Sequence, residues 1–207
     1  MDRLVISGIG TGVGKTVVSA IFSEALKAHY WKPVQSGDLH DLDSMKVARL
    51  APSSTILPER YKLSIPVSPH YAAEHDGITL TMNDFILSEV MGNLVIEGAG
   101  GLMVPMDYNG LLYIDIFQKW GLPVVLVSRH YLGSINHTLL SVEALKSHNI
   151  PIWGIVFVGD EHLPTEKVIA NVTGIQKIFR IPEVAEVTTE FVLEQAQRLR
   201  THIDVGT

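Results

Sequence analysis

The sequence predicts an α/β fold, a mainly parallel sheet flanked by helices in three layers, on three observations. Short apolar runs recur at Leu4–Ser7, Tyr30–Val34, Asn93–Glu97, Pro123–Ser128 and Ile152–Val158. They are apolar at nearly every position, as strands covered on both faces are. Segments with helical periodicity lie between them, so strand and helix alternate and the strands are joined by crossovers. The first strand runs directly into Gly8-Ile9-Gly10-Thr11-Gly12-Val13-Gly14-Lys15-Thr16, a glycine-rich turn that opens a helix.

That turn has the chemistry of a nucleoside triphosphate site. Glycines let backbone N–H groups crowd an anion without Cβ obstruction. Lys15 brings a point charge to the outer phosphates, the Thr16 hydroxyl can ligand Mg²⁺, and the helix directs its positive end at the same place. The usual spacing is GxxxxGK[ST]; here Ile9 stands where its first glycine belongs and the glycine is Gly8, so the loop is one residue longer. With this loop the predicted fold is P-loop NTPase-like.

The helices follow in order. Lys15–Ala28 continues the phosphate loop, and Asp43–Leu50, Thr81–Met91, Tyr113–Trp120, Ser134–His148 and Glu166–Gly174 carry helical spacing. Thr189–Ile203 closes the series, with Phe191, Leu199 and Ile203 toward the core and Glu194, Arg198 and Arg200 toward water. Residues 51–78 hold Pro52, Pro58, Pro66 and Pro69, too many for a helix. This surface excursion either covers a site or is decorative.

At 207 residues the chain is expected to be one domain, 1–207, with a proper core. Its 46% hydrophobic and 18% charged residues describe an ordinary globular protein. The net charge of −6 and the lack of any basic cluster argue against nucleic acid as the main partner. Cysteine is absent, which excludes disulfides, Cys-ligated zinc and a thiol nucleophile. The chain opens Met1-Asp2-Arg3 and goes straight into a strand, and no apolar run approaches the ~20 residues of a membrane helix. A cytoplasmic protein with no membrane partner is expected.

Ligands of an open parallel sheet bind beyond the carboxyl ends of its strands. The second strand delivers Lys32-Pro33-Val34-Gln35-Ser36-Gly37 to that edge and the third Glu97-Gly98-Ala99-Gly100-Gly101. Beyond the fourth comes Gly133-Ser134-Ile135-Asn136 at a helix start. These segments, with the long phosphate loop, Ser68-Pro69-His70, His137 and Ile181-Pro182, resemble the dethiobiotin synthetase family through nearly the whole chain. The longer loop is a trait of that family.

The resemblance implies a ligase that carboxylates 7,8-diaminopelargonic acid with CO₂ or bicarbonate and closes the ureido ring, using ATP and Mg²⁺. It implies that Lys15 and Lys32 are the catalytic cations, with Thr11 and Ser36 as hydroxyl donors to the diamine or its carbamate. Thr16, Asp43 and Glu97 resemble the Mg²⁺ shell. Gly12, Val13, Gly14, Lys15, Thr16, Val17, Gly98, Ala99, Gly100 and Pro182 complete the nucleotide site with Asp43 and Glu97. Gly133, Ser134, Ile135 and Asn136 resemble the site for the distal carboxylate. In the family that segment comes from the neighbouring subunit, which implies a homodimer with substrate sites at its interface.

Plainer roles exist for several of these. Lys32 can be a solvated strand-end lysine, and Asp43 can cap the helix beginning at Ser44. Asp41 competes with Asp43 for the metal. Glu97, ending an apolar strand, is costly to bury without a partner. His70 and His137 have no metal-ligand spacing.

Two departures stand out. Gly10 and Gly12 occupy positions where many family members carry Asp or Asn and Glu. Val158 stands where the family commonly reads adenine with an Asn, so discrimination among nucleotides should relax and other triphosphates should be accepted besides ATP. Two other readings share the nucleotide-binding plan. A cobyrinic acid amide synthase needs a glutaminase cysteine that this chain lacks. A partition or division-site ATPase of the ParA/MinD type normally has a second lysine early in the loop, where Ile9 and Gly10 stand.

Overall fold

The computed structural model describes residues 2–87 and 89–204. The main sheet is built from β1 (Arg3–Gly8), β2 (His29–Trp31), β4 (Thr55–Leu57), β6 (Leu94–Glu97), β7 (Val124–Arg129), β8 (Ile152–Val158) and β9 (Ile178–Ile181). Their order across the sheet is β4-β2-β6-β1-β7-β8-β9, every neighbouring pair parallel. A second, two-stranded parallel sheet pairs β3 (Val34–Ser36) with β5 (Tyr61–Leu63). The helices are α1 (Lys15–Leu26), α2 (Asp43–Leu50), α3 (Pro69–His75), α4 (Tyr113–Trp120), α5 (Ser134–Ser147), α6 (Leu163–Thr173) and α7 (Thr189–Asp204).

Strand alternation sorts the apolar side chains into two layers of core. Leu4, Ile6, Tyr30, Val95, Val125 and Val156 face Val18, Ile21 and Phe22 of α1 and Val192 and Leu199 of α7. The opposite parity, Val5, Trp31, Leu94, Ile96 and Val124, meets Tyr113, Ile114 and Phe117 of α4. Further along that face Leu126, Ile155 and Phe157 pack on Val142 of α5 and Ile169 of α6. Phe22, Phe117 and Ile6 are wholly buried, and each side chain so removed from water stabilises the fold by about 2 kcal/mol.

The structure corrects several expectations. The strand read over Tyr30–Val34 is two strands, β2 and β3, in different sheets. Pro33 has no N–H for the ladder, and its carbonyl instead accepts from Tyr61 N–H as the chain crosses to β5. The helix read over Thr81–Met91 reduces, among the described residues, to a 3₁₀ turn at Met82–Asp84. Here donors distant in sequence engage the segment's carbonyls. Lys119 donates to Met82, Trp120 to Phe85 and Arg3 to Val90. The proline-rich excursion holds edge strand β4, strand β5 and α3. Edge strand β9 falls between two helical patterns and was not read as a strand. In α7, Arg200 is half-buried and reaches the Glu24 carbonyl.

Candidate active site

Sheet register and strand parity build the site. His29, Tyr30 and Trp31 pair with Leu94, Val95 and Ile96, so the next residues in line are Lys32 and Glu97. Both lie on the parity that faces α1, whose first turn carries Lys15 and Thr16. Gly14 caps that helix at φ 96°, a left-handed conformation that favours glycine, and an added Cβ would sit 3.3 Å from Val158.

Five polar side chains meet at this edge. Lys32 Nζ donates to Glu97 Oε1 at 2.9 Å and to Asp43 Oδ2 at 2.5 Å. Thr16 Oγ1 donates to the same Glu97 oxygen at 2.9 Å. Tyr30 Oη donates to the other, Oε2, at 2.8 Å. Lys46 adds a second cation, 3.3 Å from Asp43 Oδ1. Lys32 is 5% and Glu97 0% exposed, so Lys32 is not a solvated strand-end lysine.

The charges tune one another. Burial works against the Lys32 ammonium, but the carboxylates of Glu97 and Asp43 outweigh it and hold its pKa above the ordinary lysine value. Burial pushes the Asp43 carboxyl up, and Lys32 with Lys46 more than reverses that, leaving it below the usual range. Lys15 has a weaker set of partners. Burial brings its pKa down to about 8, assisted by repulsion from Lys32. Its Nζ donates to the Gly10 carbonyl at 2.8 Å. Burial, then the nearby Glu97 charge, drives the Tyr30 phenol well above its usual pKa, so it acts as a donor.

A cavity of about 620 Å³ opens over this cluster. Its walls include the predicted Thr11, Gly12, Gly14, Lys15, Thr16, Val17, Lys32, Ser36, Asp43, Glu97, Ala99 and Gly100. Ser36 Oγ is buried with no protein partner. Asp41 is exposed and pairs with Arg49 and Lys46, whereas Lys32 pairs with Asp43 and Glu97. Asp43 opens α2 as its first residue, but its side chain is engaged by Lys32 and does not cap the helix.

Other predicted residues lie elsewhere. Val13 points into the core below the loop, and Gly98 is buried against Phe117. Pro182 is exposed just past β9. Gly133, Ser134, Ile135 and Asn136 begin α5 and do not line this cavity within one chain. Pro66, Val67, Ser68 and Pro69 also wall the cavity, so of the two expectations for the proline-rich excursion it is the covering one that holds, although sequence reasoning gave these four residues no role in the site. Pro66 closes on Gly37, whose φ of 69° and 2.5 Å clearance for a Cβ leave room only for glycine. Nor did sequence reasoning give a role to Tyr30, two residues before Lys32 in the strand read over Tyr30–Val34.

An ATP-dependent dethiobiotin synthetase of Christiangramia forsetii is 50% identical over 200 residues, spanning 96% of both chains. The chain belongs to the ATP-dependent dethiobiotin synthetase family. Synthetases from Afipia carboxidovorans (50% over 191 residues; 91% of this chain, 90% of the relative) and Rhodopseudomonas palustris strain HaA2 (48% over 189; 90% and 88%) agree. Residues 2–197 of this synthetase-family chain also match the family model described as an AAA domain. Two solved structures share its fold alone. A plasmid partition protein of Borrelia burgdorferi B31, bound to AMPPNP, superposes with TM-score 0.62 at 9% identity over 100% of this chain and 99% of its own. The Pyrococcus furiosus cell division ATPase MinD gives 0.57 at 15% identity, with all of both chains covered.

Proposed function

We propose that this one α/β unit makes dethiobiotin from 7,8-diaminopelargonic acid, CO₂ and ATP, releasing ADP and phosphate. The observation that carries the reading is Lys32. It is a buried ammonium gripped by Asp43 and Glu97, in the wall of the same cavity as the phosphate-loop Lys15.

The reaction runs in three stages. One amine of the substrate adds to CO₂ and loses a proton, giving a carbamate. A carbamate oxygen takes the γ-phosphoryl group of ATP and ADP leaves. The second amine then attacks the carbamate carbon, phosphate departs, and the ureido ring closes. Negative charge builds where the phosphoryl group passes between oxygens, so fixed cations accelerate that step. Lys15 exchanges its bond to the Gly10 carbonyl for a phosphate oxygen. Lys32 stays protonated through the reaction because two carboxylates hold its charge. Ser36 Oγ, without a protein partner, and the exposed Thr11 hydroxyl orient the diamine or its carbamate.

The donors Thr16 Oγ1, Asp43 and Glu97 are all hard oxygens within one hydrogen-bonded cluster, a set that suits Mg²⁺. Thr16, Asp43 and Glu97 would hold the ion together with phosphate oxygens of the nucleotide. When bound there, Mg²⁺ neutralises charge on the outer phosphates.

The distal carboxylate of the diamine is read by Gly133, Ser134, Ile135 and Asn136 of a second copy in a homodimer. The segment's exposure on one chain supports this: Gly133, Ile135 and Asn136 are open to solvent beside Leu132, Met103 and Leu140, an apolar surface suited to a partner. A cytoplasmic reaction belongs to the same proposal; among the described residues no helix is long and apolar enough to cross a membrane.

The test is incorporation of labelled bicarbonate into an acid-stable product, omitting ATP, Mg²⁺ and the diamine in turn. A product with the mass of dethiobiotin that needs all three is expected. ATP turnover indifferent to the diamine, with no fixed label, would assign the chain to the switch ATPases.

A further inference from the structure

We infer that Tyr30 is a positioning residue for Glu97, holding one carboxylate oxygen so that the other faces Thr16 and Lys32. The two oxygens of Glu97 have separate partners. Oε1 accepts from Thr16 Oγ1 and Lys32 Nζ, each at 2.9 Å, on the cavity side. Oε2 accepts from Tyr30 Oη at 2.8 Å, and both residues are wholly buried.

The register makes this a two-point clamp from a single strand. Tyr30 stands opposite Val95, and Lys32 continues the line opposite Glu97. Residues two apart on a strand share a face, so one strand reaches both ends of the same carboxylate. Two donors on opposite oxygens fix the tilt of the carboxylate as well as its place, which one donor cannot do. The tyrosine ring itself packs in the apolar cluster of Leu4, Ile6, Val18 and Val95. Without the hydroxyl, Oε2 would be left in the core unpaired, and the carboxylate would turn to recover a donor. Groups that orient a metal ligand in this way typically change affinity or activity by roughly 10–100-fold.

The inference rests on the reading of Glu97 as part of the Mg²⁺ shell, and its test separates the two. ATP is titrated calorimetrically into the native protein and into Tyr30→Phe, once with Mg²⁺ and once with EDTA. Bicarbonate fixation is measured in parallel against Mg²⁺ concentration. For Tyr30→Phe the expected result is a loss of roughly 10–100-fold in MgATP affinity and a matching rise in the Mg²⁺ needed for half-maximal activity. Its ATP affinity in EDTA should equal the native value, because the phosphate loop is untouched. Equal MgATP affinity in the two proteins, or equal losses with and without Mg²⁺, overturns the inference and marks the hydroxyl as a packing group. A native protein that binds ATP identically with Mg²⁺ and EDTA instead overturns the metal reading of Glu97. Thermal melts confirm folding, and a Glu97→Gln background supplies a second check. There the Tyr30→Phe change should have no further effect on Mg²⁺ dependence, and a persisting effect counts against the clamp.

Discussion

Lys32 Nζ lies 2.5 Å from Asp43 Oδ2, joining the end of β2 to the first turn of α2. The same ammonium holds Glu97 of β6 at 2.9 Å. One lysine therefore binds three elements together and leaves two carboxylates facing the phosphate loop.

Lys32→Ala should retain nucleotide binding, which rests on the loop, and lose turnover by about 10²–10³-fold because it removes charge needed in the transition state. It should also destabilise the fold by about 3 kcal/mol, since the buried Glu97 carboxylate loses its cation and the half-buried Asp43 keeps only Lys46. Steady-state kinetics beside a denaturant titration checks both. Near-normal turnover would remove Lys32 from the catalytic set.

Asp41 and Asp43 should separate cleanly. Asp43→Asn should weaken Mg²⁺-dependent activity by at least about tenfold, because its carboxylate is in the cavity wall beside Lys32. Asp41→Asn loosens only solvent-accessible pairs, with Arg49 and Lys46, so stability should change by less than about 0.5 kcal/mol. Mg²⁺ titrations of activity decide, and the reverse ranking would transfer the metal role to Asp41.

Nucleotide binding should take up protons near pH 8. Burial lowers the Lys15 pKa to about 8 in the free protein, and bound phosphates favour its charged form. Above about pH 8 the free protein holds fewer protons than the complex, so affinity falls as pH rises; well below it the uptake disappears. For folding the sign is opposite. The unfolded chain keeps Lys15 protonated up to its ordinary pKa of 10.5, so this group favours the native state increasingly as pH rises from 8 to 10.5. Calorimetry of ATP binding in buffers of different ionisation enthalpy measures the uptake. Proton release, or no pH dependence between 7 and 9, contradicts the assignment.

Base selection should be loose. Val158 ends β8 against Gly14 of the phosphate loop and offers only methyl groups where an amide could pair with a base edge. GTP and CTP should therefore sustain product formation at saturation. Rates below about one-hundredth of the ATP rate would show that other groups read the base.

The elements legible in the sequence were those whose stability is local or periodic. The Asp43–Leu50 and Tyr113–Trp120 helices and the Ile152–Val158 strand occupy the residues that their patterns indicated. The phosphate loop was legible because glycines, lysine and threonine must stand in that order to surround an anion. Thr81–Met91 failed because its carbonyls bond to Arg3, Lys119 and Trp120, partners distant in sequence. Tyr30–Val34 failed because Pro33 turns the chain from one sheet into another.

By itself, then, the sequence determined the alternating α/β plan, the phosphate loop, the candidate carboxylates and the family resemblance. Each is written in composition, period or contiguous motif. Only the tertiary structure decided that Asp43 and not Asp41 meets Lys32, that Pro66–Pro69 walls the cavity, and that Tyr30 holds the far side of Glu97. Those relations join residues as far as 67 positions apart. They depend on which strands become neighbours and on which parity faces α1, and no window along the chain contains that information.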